Sequence, residues 1–347
     1  MRAAVFHHSY EPLSIEDVPT PNVGVHDLKV KIKTCSICHT DIHFIDQGMA
    51  PKMKPPMILG HEIAGIIEET GSAVKKFKPG DRVIIPASIT CNTCLACKSW
   101  NETHCENIKQ LGVDINGGFA EYIVVPDFHP YRLPYEYSYE AGSLISNVLL
   151  GAYHVVSDRI NIRAGENVVI FGAGGFGLSI LQMAKLKDVK VTVVDIFDWK
   201  LEVAKKLGAD YVLNSNKADV CEEAVIDIAG GKPDVVIETI GAPRTLIQSM
   251  NSLKKGGRLV LCGITDNALP FLITKVVENE ISLIGATGAP RRKIPEIIQL
   301  LDDGKITLDH MVTKRFNLEH INEAINTLRM GQTIRTMVYP FGINTND

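Results

Sequence analysis

The run Asn167-Val-Val-Ile-Phe171-Gly172-Ala-Gly174-Gly175-Phe-Gly177 decides the fold of half this chain. Val168–Phe171 is a short apolar strand, and the segment Gly175–Lys187 after it repeats its apolar residues with helical period. In this setting Gly172 makes the tight turn, Gly174 lets backbone approach a pyrophosphate, and Gly177 permits close helix–strand packing. Gly175 opens the helix, whose free N–H groups and partial positive charge suit phosphate. The next strand, Val191–Asp195, ends in an acid 18 residues beyond Gly177. A carboxylate there accepts from both ribose hydroxyls and repels a 2′-phosphate, so NAD is expected over NADP. The plain alternative for Asp195 is a helix N-cap. Lys200, one turn further on, either reaches the same ribose or is a solvated helix lysine.

Outward from this unit the alternation continues: helices at Trp199–Leu207, Val220–Ala229 and Thr245–Leu253, strands at Tyr211–Leu213, Val235–Glu238, Arg258–Cys262 and Ile281–Gly285. Strands and helices taking turns imply a parallel sheet covered on both faces. The first 150 residues read differently, with Gly and Pro punctuating short β-type runs at Ala3–Phe6, Leu28–Ile32, Ile63–Glu68, Arg82–Ile85 and Tyr122–Val125. That texture predicts an irregular all-β unit, part barrel and part loops. The tail offers helices at Ile294–Asp302 and Glu319–Leu328 and a strand at Thr336–Tyr339, which are expected to return to the first domain. The resulting division is 1–148 with 289–347, and 149–288.

A chain of 347 residues is long enough for two such domains. Its net charge of -4 leaves no basic excess to neutralise phosphates, which argues against a nucleic-acid partner. No long apolar stretch follows Arg2, so no signal peptide is visible, and the most apolar run, 168–184, falls short of a membrane span. A cytoplasmic protein with no membrane partner is expected.

Of the eight cysteines, Cys91, Cys94, Cys97 and Cys105 fall in one loop. Four thiolates so spaced match a closed tetrahedral zinc shell with no position for substrate, hence a structural zinc. Cys221 and Cys262 stand alone in apolar surroundings and read as buried filler. A second set, Cys38-His39-Thr40-Asp41-Ile-His43 with Gly60-His61-Glu62, brings a thiolate and an imidazole from separate segments. Such an incomplete set keeps a coordination position open.

These motifs, in this order and spacing, resemble those of the medium-chain zinc alcohol dehydrogenases over nearly the full length. The resemblance implies an α/β fold: a GroES-like irregular β-barrel catalytic domain plus a Rossmann doubly wound parallel sheet. It implies one catalytic and one structural zinc per chain, NAD, an alcohol or carbonyl substrate, and a homo-oligomer, dimer or tetramer. By resemblance Cys38 and His61 are catalytic zinc ligands, Glu62 a direct or near carboxylate, and Asp41 a supporting partner. Thr40 matches the hydroxyl that takes the alcohol's proton, and His43 the end of a relay to solvent. His39 and Arg335 match positions facing the cofactor's pyrophosphate, although Arg335 also reads as a surface arginine. The family's last zinc ligand, counted back from Tyr153, falls on Asn147 beside Ser146, and neither is a usual ligand. Charge balance then assigns Glu62 the missing place on the metal. Rivals are a zinc polyol or sugar dehydrogenase, an enzyme of cyclic or CoA-linked substrates suggested by Arg291-Arg292-Lys293, and a catalytically silent NAD-binding sensor.

Overall fold

Six parallel strands form a sheet in the order Tyr211–Asn214, Lys190–Asp195, Asn167–Phe171, Val235–Glu238, Arg258–Leu261, Ser282–Gly285. Asn167–Phe171 lies in the middle, with Val169 opposite Thr192 on one side and Val236 on the other. The strand order reverses direction at this strand, which is where open α/β sheets bind ligands beyond the strand C-termini. Val168, Val169, Ile170 and Phe171 are all buried, as a strand covered on both faces requires. The helices Gly175–Lys185, Asp198–Lys206, Cys221–Ala229 and Pro243–Ser252 connect the strands. Val169, Phe171, Val194, Val236 and Leu259 form one core with Cys221. Cys262, by contrast, is only half-buried.

The computed structural model describes residues 1–266 and 273–343. It divides into two units, Met1–Leu150 with Gly288–Gln299 and Leu308–Asp347, and Gly151–Thr287 with Leu300–Thr307. Leu300–Thr307 therefore counts with the parallel sheet, not with the tail's other segments. Its anchor is the Thr307 N–H, which donates to Gln182 Oε1 at 2.7 Å.

The first unit is built on a sheet ordered Tyr131–Arg132, Arg82–Ile85, Glu62–Thr70, Asp27–Ser36, Arg335–Tyr339, Val312–Asn317. Tyr122–Pro126 also pairs with Asp27–Ser36. That central strand runs four residues past the expected Ile32, because Leu28, Val30, Ile32 and Thr34 alternate inward without a break. The tail closes the sheet: Met337 and Val338 pair with Ser36 and Cys35. Phe6, Leu28, Ile32, Ile63, Phe119 and Val338 share its core. Among the described residues no helix is long and apolar enough to cross a membrane.

Candidate active site and metal centres

Cys38 ends the central strand's run and starts the helix His39–Asp46. The carboxylate of Asp41 folds back to accept the Cys38 N–H at 2.9 Å through Oδ2 and the Gly60 N–H at 3.1 Å through Oδ1. One buried acid thus pins the two segments that carry Cys38 and His61. Gly60 has φ +91°, and a Cβ there would lie 2.7 Å from the Phe119 ring, so only glycine turns the chain into His61 and Glu62.

The ligand atoms of Cys38, His61 and Glu62 lie within 4.8 Å of one another. His61 faces Cys38 on one side and places Nδ1 3.8 Å from Asp41 Oδ1 on the other, a distance at which the acid acts on the ring by charge and not through a hydrogen bond. Glu62, fully buried, accepts from Asn147 Nδ2 at 2.9 Å on Oε1 and from Arg335 Nη1 at 3.1 and 3.2 Å on its two oxygens. Arg335 Nη1 also reaches the carbonyl of Ile37 at 3.3 Å. With the Cys38 thiolate, Asp41 and Glu62 ionised, three negative charges face the single positive charge of Arg335. A divalent cation brings that largely buried set to neutrality with His61 uncharged, so these residues fit a zinc ion.

The same charges shift the ionisable groups of the metal-free site. Burial opposes a charged His61, but the Cys38 thiolate, Asp41 and Glu62 outweigh it and push the ring up to about 9. Burial raises the carboxyl of Asp41, against the pull of His61. Arg335 is lifted further above its ordinary value; burial works against its charge, and Glu62 and Cys38 overcome it.

Two readings from sequence need correction. Arg335 is not a surface arginine, since it is buried beneath Glu62. Lys200 is not solvated: it is buried, its ammonium 4.9 Å from the Phe197 ring centre, and burial lowers its pKa against the pull of Asp195. Asn147 does reach the site, on a π-helical turn spanning Ile145–Leu149. It turns its amide nitrogen, which has no lone pair for a metal, to Glu62, whereas Ser146 Oγ is used on the Ser143 carbonyl at 2.7 Å. Sequence reading missed Ser143, which accepts the Ser36 N–H at 3.2 Å and donates to the Glu62 carbonyl. A lone serine in an apolar helix carries no signal of that role. Around the cluster, Thr40 Oγ1 stands 3.7 Å from Cys38 Sγ, His43 is buried, and His39 is exposed.

The sulfurs of Cys91, Cys94, Cys97 and Cys105 form the other cluster, with Cys91 3.5 Å from Cys105 and 3.9 Å from Cys97. Backbone N–H groups of Thr93 and Cys94 point at Cys91 Sγ, and that of Cys91 at Cys105 Sγ. Such donors suit thiolates, and hydrogen bonds from Thr93 and Cys94 bring Cys91 down to about 5.

At the glycine-rich turn Gly172 has φ +107°, and a Cβ on Gly177 would fall 1.9 Å from the Gly172 carbonyl. A Cβ on Gly174 would meet nothing within 4 Å, which leaves the helix N-terminus open to a ligand. Asp195 Oδ2 accepts the Ala173 N–H at 2.7 Å, and Oδ1 those of Ile196 and Phe197 at 2.7 and 3.0 Å. These bonds precede the helix Asp198–Lys206, so Asp195 fixes the glycine turn and is not that helix's N-cap.

Residues 24–135 match the family model of the alcohol dehydrogenase GroES-like domain, and residues 175–303 that of the zinc-binding dehydrogenases. The chain belongs to the zinc-dependent medium-chain alcohol dehydrogenase family. It is 31% identical to a sorbitol dehydrogenase of Bacillus subtilis (strain 168), over 98% of this chain and 97% of that one. It is 33% identical to an alcohol dehydrogenase of Geobacillus stearothermophilus, over 96% and 97%. The crystal structure of an alcohol dehydrogenase from Aeropyrum pernix superposes with a TM-score of 0.90 at 31% identity, covering 98% of this chain and all of that one. As a zinc-binding dehydrogenase the chain takes zinc and a nicotinamide dinucleotide, and its four-cysteine cluster fits a structural zinc.

Proposed function

We propose that this dehydrogenase oxidises alcohols reversibly to aldehydes or ketones with NAD, forming NADH and a proton. The observation that carries the reading is the Cys38–His61–Glu62 set, half-buried at Cys38 and buried at His61 and Glu62, whose charge a divalent cation completes, on a chain that also bears the glycine turn and Asp195. In this reading Cys38, His61 and Glu62 hold the catalytic zinc. When bound, the metal supplies a Lewis acid that lowers the alcohol's pKa. Asp41 keeps Cys38 and His61 in register, while Asn147 and Arg335 hold the Glu62 carboxylate. Thr40, beside Cys38, receives the alcohol's proton, and His43 passes it on. Gly172, Gly174, Gly175 and Gly177 bind the pyrophosphate at the open helix N-terminus. Asp195 and Lys200 take the ribose, and the carboxylate selects NAD over NADP. A polyol substrate is the second reading, supported by the similarity to a sorbitol dehydrogenase. Zinc-loaded protein mixed with NAD and a panel of simple alcohols and polyols tests both: reduced nicotinamide formed from one class and not the other identifies the substrate.

We also infer a homo-oligomer. Ser282–Gly285 is the sheet's last strand, and Leu283, 41% exposed, presents an apolar side chain there. A second copy pairing on that edge would cover it, and a monomeric mass in solution would refute this.

A further inference from the structure

The four-cysteine loop is gripped by a turn that contributes none of its sulfurs. Arg291–Lys293 follows Thr287 and Gly288, where the chain passes from the second unit back to the first. The Arg291 side chain is 15% exposed, and its guanidinium donates to the Phe128 carbonyl at 2.8 Å through Nη1 and to Asn92 Oδ1 at 3.0 Å through Nη2. Its Nε stands 4.0 Å from Glu102 Oε1. Arg292 lies over the Trp100 ring, 5.1 Å from its centre. Asn92, Trp100 and Glu102 all fall between Cys91 and Cys105, so two adjacent arginines hold the loop at three points.

Asn92 makes this contact chemically specific. It occupies the left-handed region, φ +58°, directly after Cys91, with its backbone N–H turned toward the sulfur of Cys97. One residue therefore takes a guanidinium on its side chain and presents its amide to a metal ligand. Charge points the same way: four thiolates on a divalent zinc leave a net charge of minus two, Glu102 adds one more, and Arg291 and Arg292 bring plus two.

We infer that Arg291 is a positioning residue of the structural zinc: it holds Asn92 so that its N–H faces Cys97, and it offsets the anionic centre. Groups of this kind around a metal typically change its retention by about 10–100-fold. The link is reciprocal, so zinc in the loop also steadies the turn Arg291–Lys293 at the passage between the units.

Zinc release tests this without recourse to activity. Zinc-loaded protein is mixed with a chromogenic chelator, and the slow phase due to the four-cysteine loop is identified by its loss in Cys97→Ser. Arg291→Ala and Asn92→Gly should each speed that phase about tenfold or more, with Arg291→Lys between them and the parent. The double variant should release no faster than the faster single one, because both residues act along one chain of bonds. Asn92→Gly keeps the left-handed backbone and removes only the side chain, so it decides the matter if Arg291→Ala does not fold. Parental rates in Asn92→Gly, or singles that multiply in the double variant, would overturn the inference. A parent protein with no loop zinc to release would overturn it too, and would leave the assignments at Cys38 and His61 untouched.

Discussion

Asn147 donates its amide Nδ2 hydrogen to Glu62 Oε1 across 2.9 Å, on the oxygen that Arg335 also meets at 3.1 Å. The position from which the family resemblance expects a zinc ligand here supplies a donor that orients the Glu62 carboxylate. A buried carboxylate deprived of such a donor keeps its desolvation cost and loses a charge-assisted bond, about 1.5–3 kcal/mol. Asn147→Ala should therefore lower stability by that order and loosen the catalytic zinc during mild chelation. Asn147→Cys should tighten it, because the side chain there already points at the site. Calorimetry and zinc content per chain check both, and an Asn147→Ala protein unchanged in each would remove Asn147 from the site.

Glu62→Gln keeps the shape of the side chain and removes the charge that balances zinc. Mild chelation should then strip the catalytic metal while the four-cysteine loop stays filled. Equal retention at the two sites would show that Glu62 does not bind zinc.

Losing a sulfur from a closed zinc shell removes folding energy, since the metal binds only the folded loop well. Cys97→Ser should lower the melting temperature and reduce zinc by one ion per chain, while the protein that stays folded still binds NAD. Unchanged zinc content would rule out the four-cysteine assignment.

Asp195 accepts from Ala173, Ile196 and Phe197, so it shapes the glycine turn, and in the proposed reading it also bars a 2′-phosphate. Asp195→Ala should cut the preference for NAD over NADP in kcat/KM by roughly tenfold or more, the worth of one or two bonds to a charged group. A parent enzyme that already prefers NADP would contradict the ribose role.

In the metal-free protein His61 stands at about 9, above its ordinary 6.5. A raised histidine pKa contributes stability that is complete below about 6.5 and is lost as pH climbs through about 9. Zinc needs the unprotonated ring, so uptake at neutral pH displaces this proton. Affinity at the Cys38 site should rise roughly tenfold per pH unit until the ring's own pKa is passed. Competition titrations with a zinc indicator measure this, and an affinity flat across that range would contradict it.

Much of this was legible from periodicity and spacing, because strands such as Val235–Glu238 and Arg82–Ile85 carry uninterrupted apolar runs bounded by turns. The helix His39–Asp46 was not, since its buried face includes Asp41 and His43 and shows no amphipathic stripe. Val312–Asn317 escaped as a strand because none of its residues is fully buried. The metal-ligand types followed from cysteine and histidine spacing. The partners of Glu62 did not, because Asn147 and Arg335 lie 85 and 273 residues away and only folding brings them to it. Likewise a lysine at helical spacing reads as solvated, and the rings of Phe197 and Trp199 that cover Lys200 show only in three dimensions.

Whether alcohols are oxidised at a zinc held by Cys38, His61 and Glu62 is decided by the rate of reduced nicotinamide formation from NAD and an alcohol panel. Zinc-loaded protein should turn over at least one alcohol or polyol, and Cys38→Ser, with its four-cysteine zinc retained, should lose that turnover by at least two orders of magnitude, a loss of about 2.7 kcal/mol or more in transition-state stabilisation. Binding of NAD without turnover of any alcohol, or full turnover in Cys38→Ser, would show that no such reaction runs at these residues.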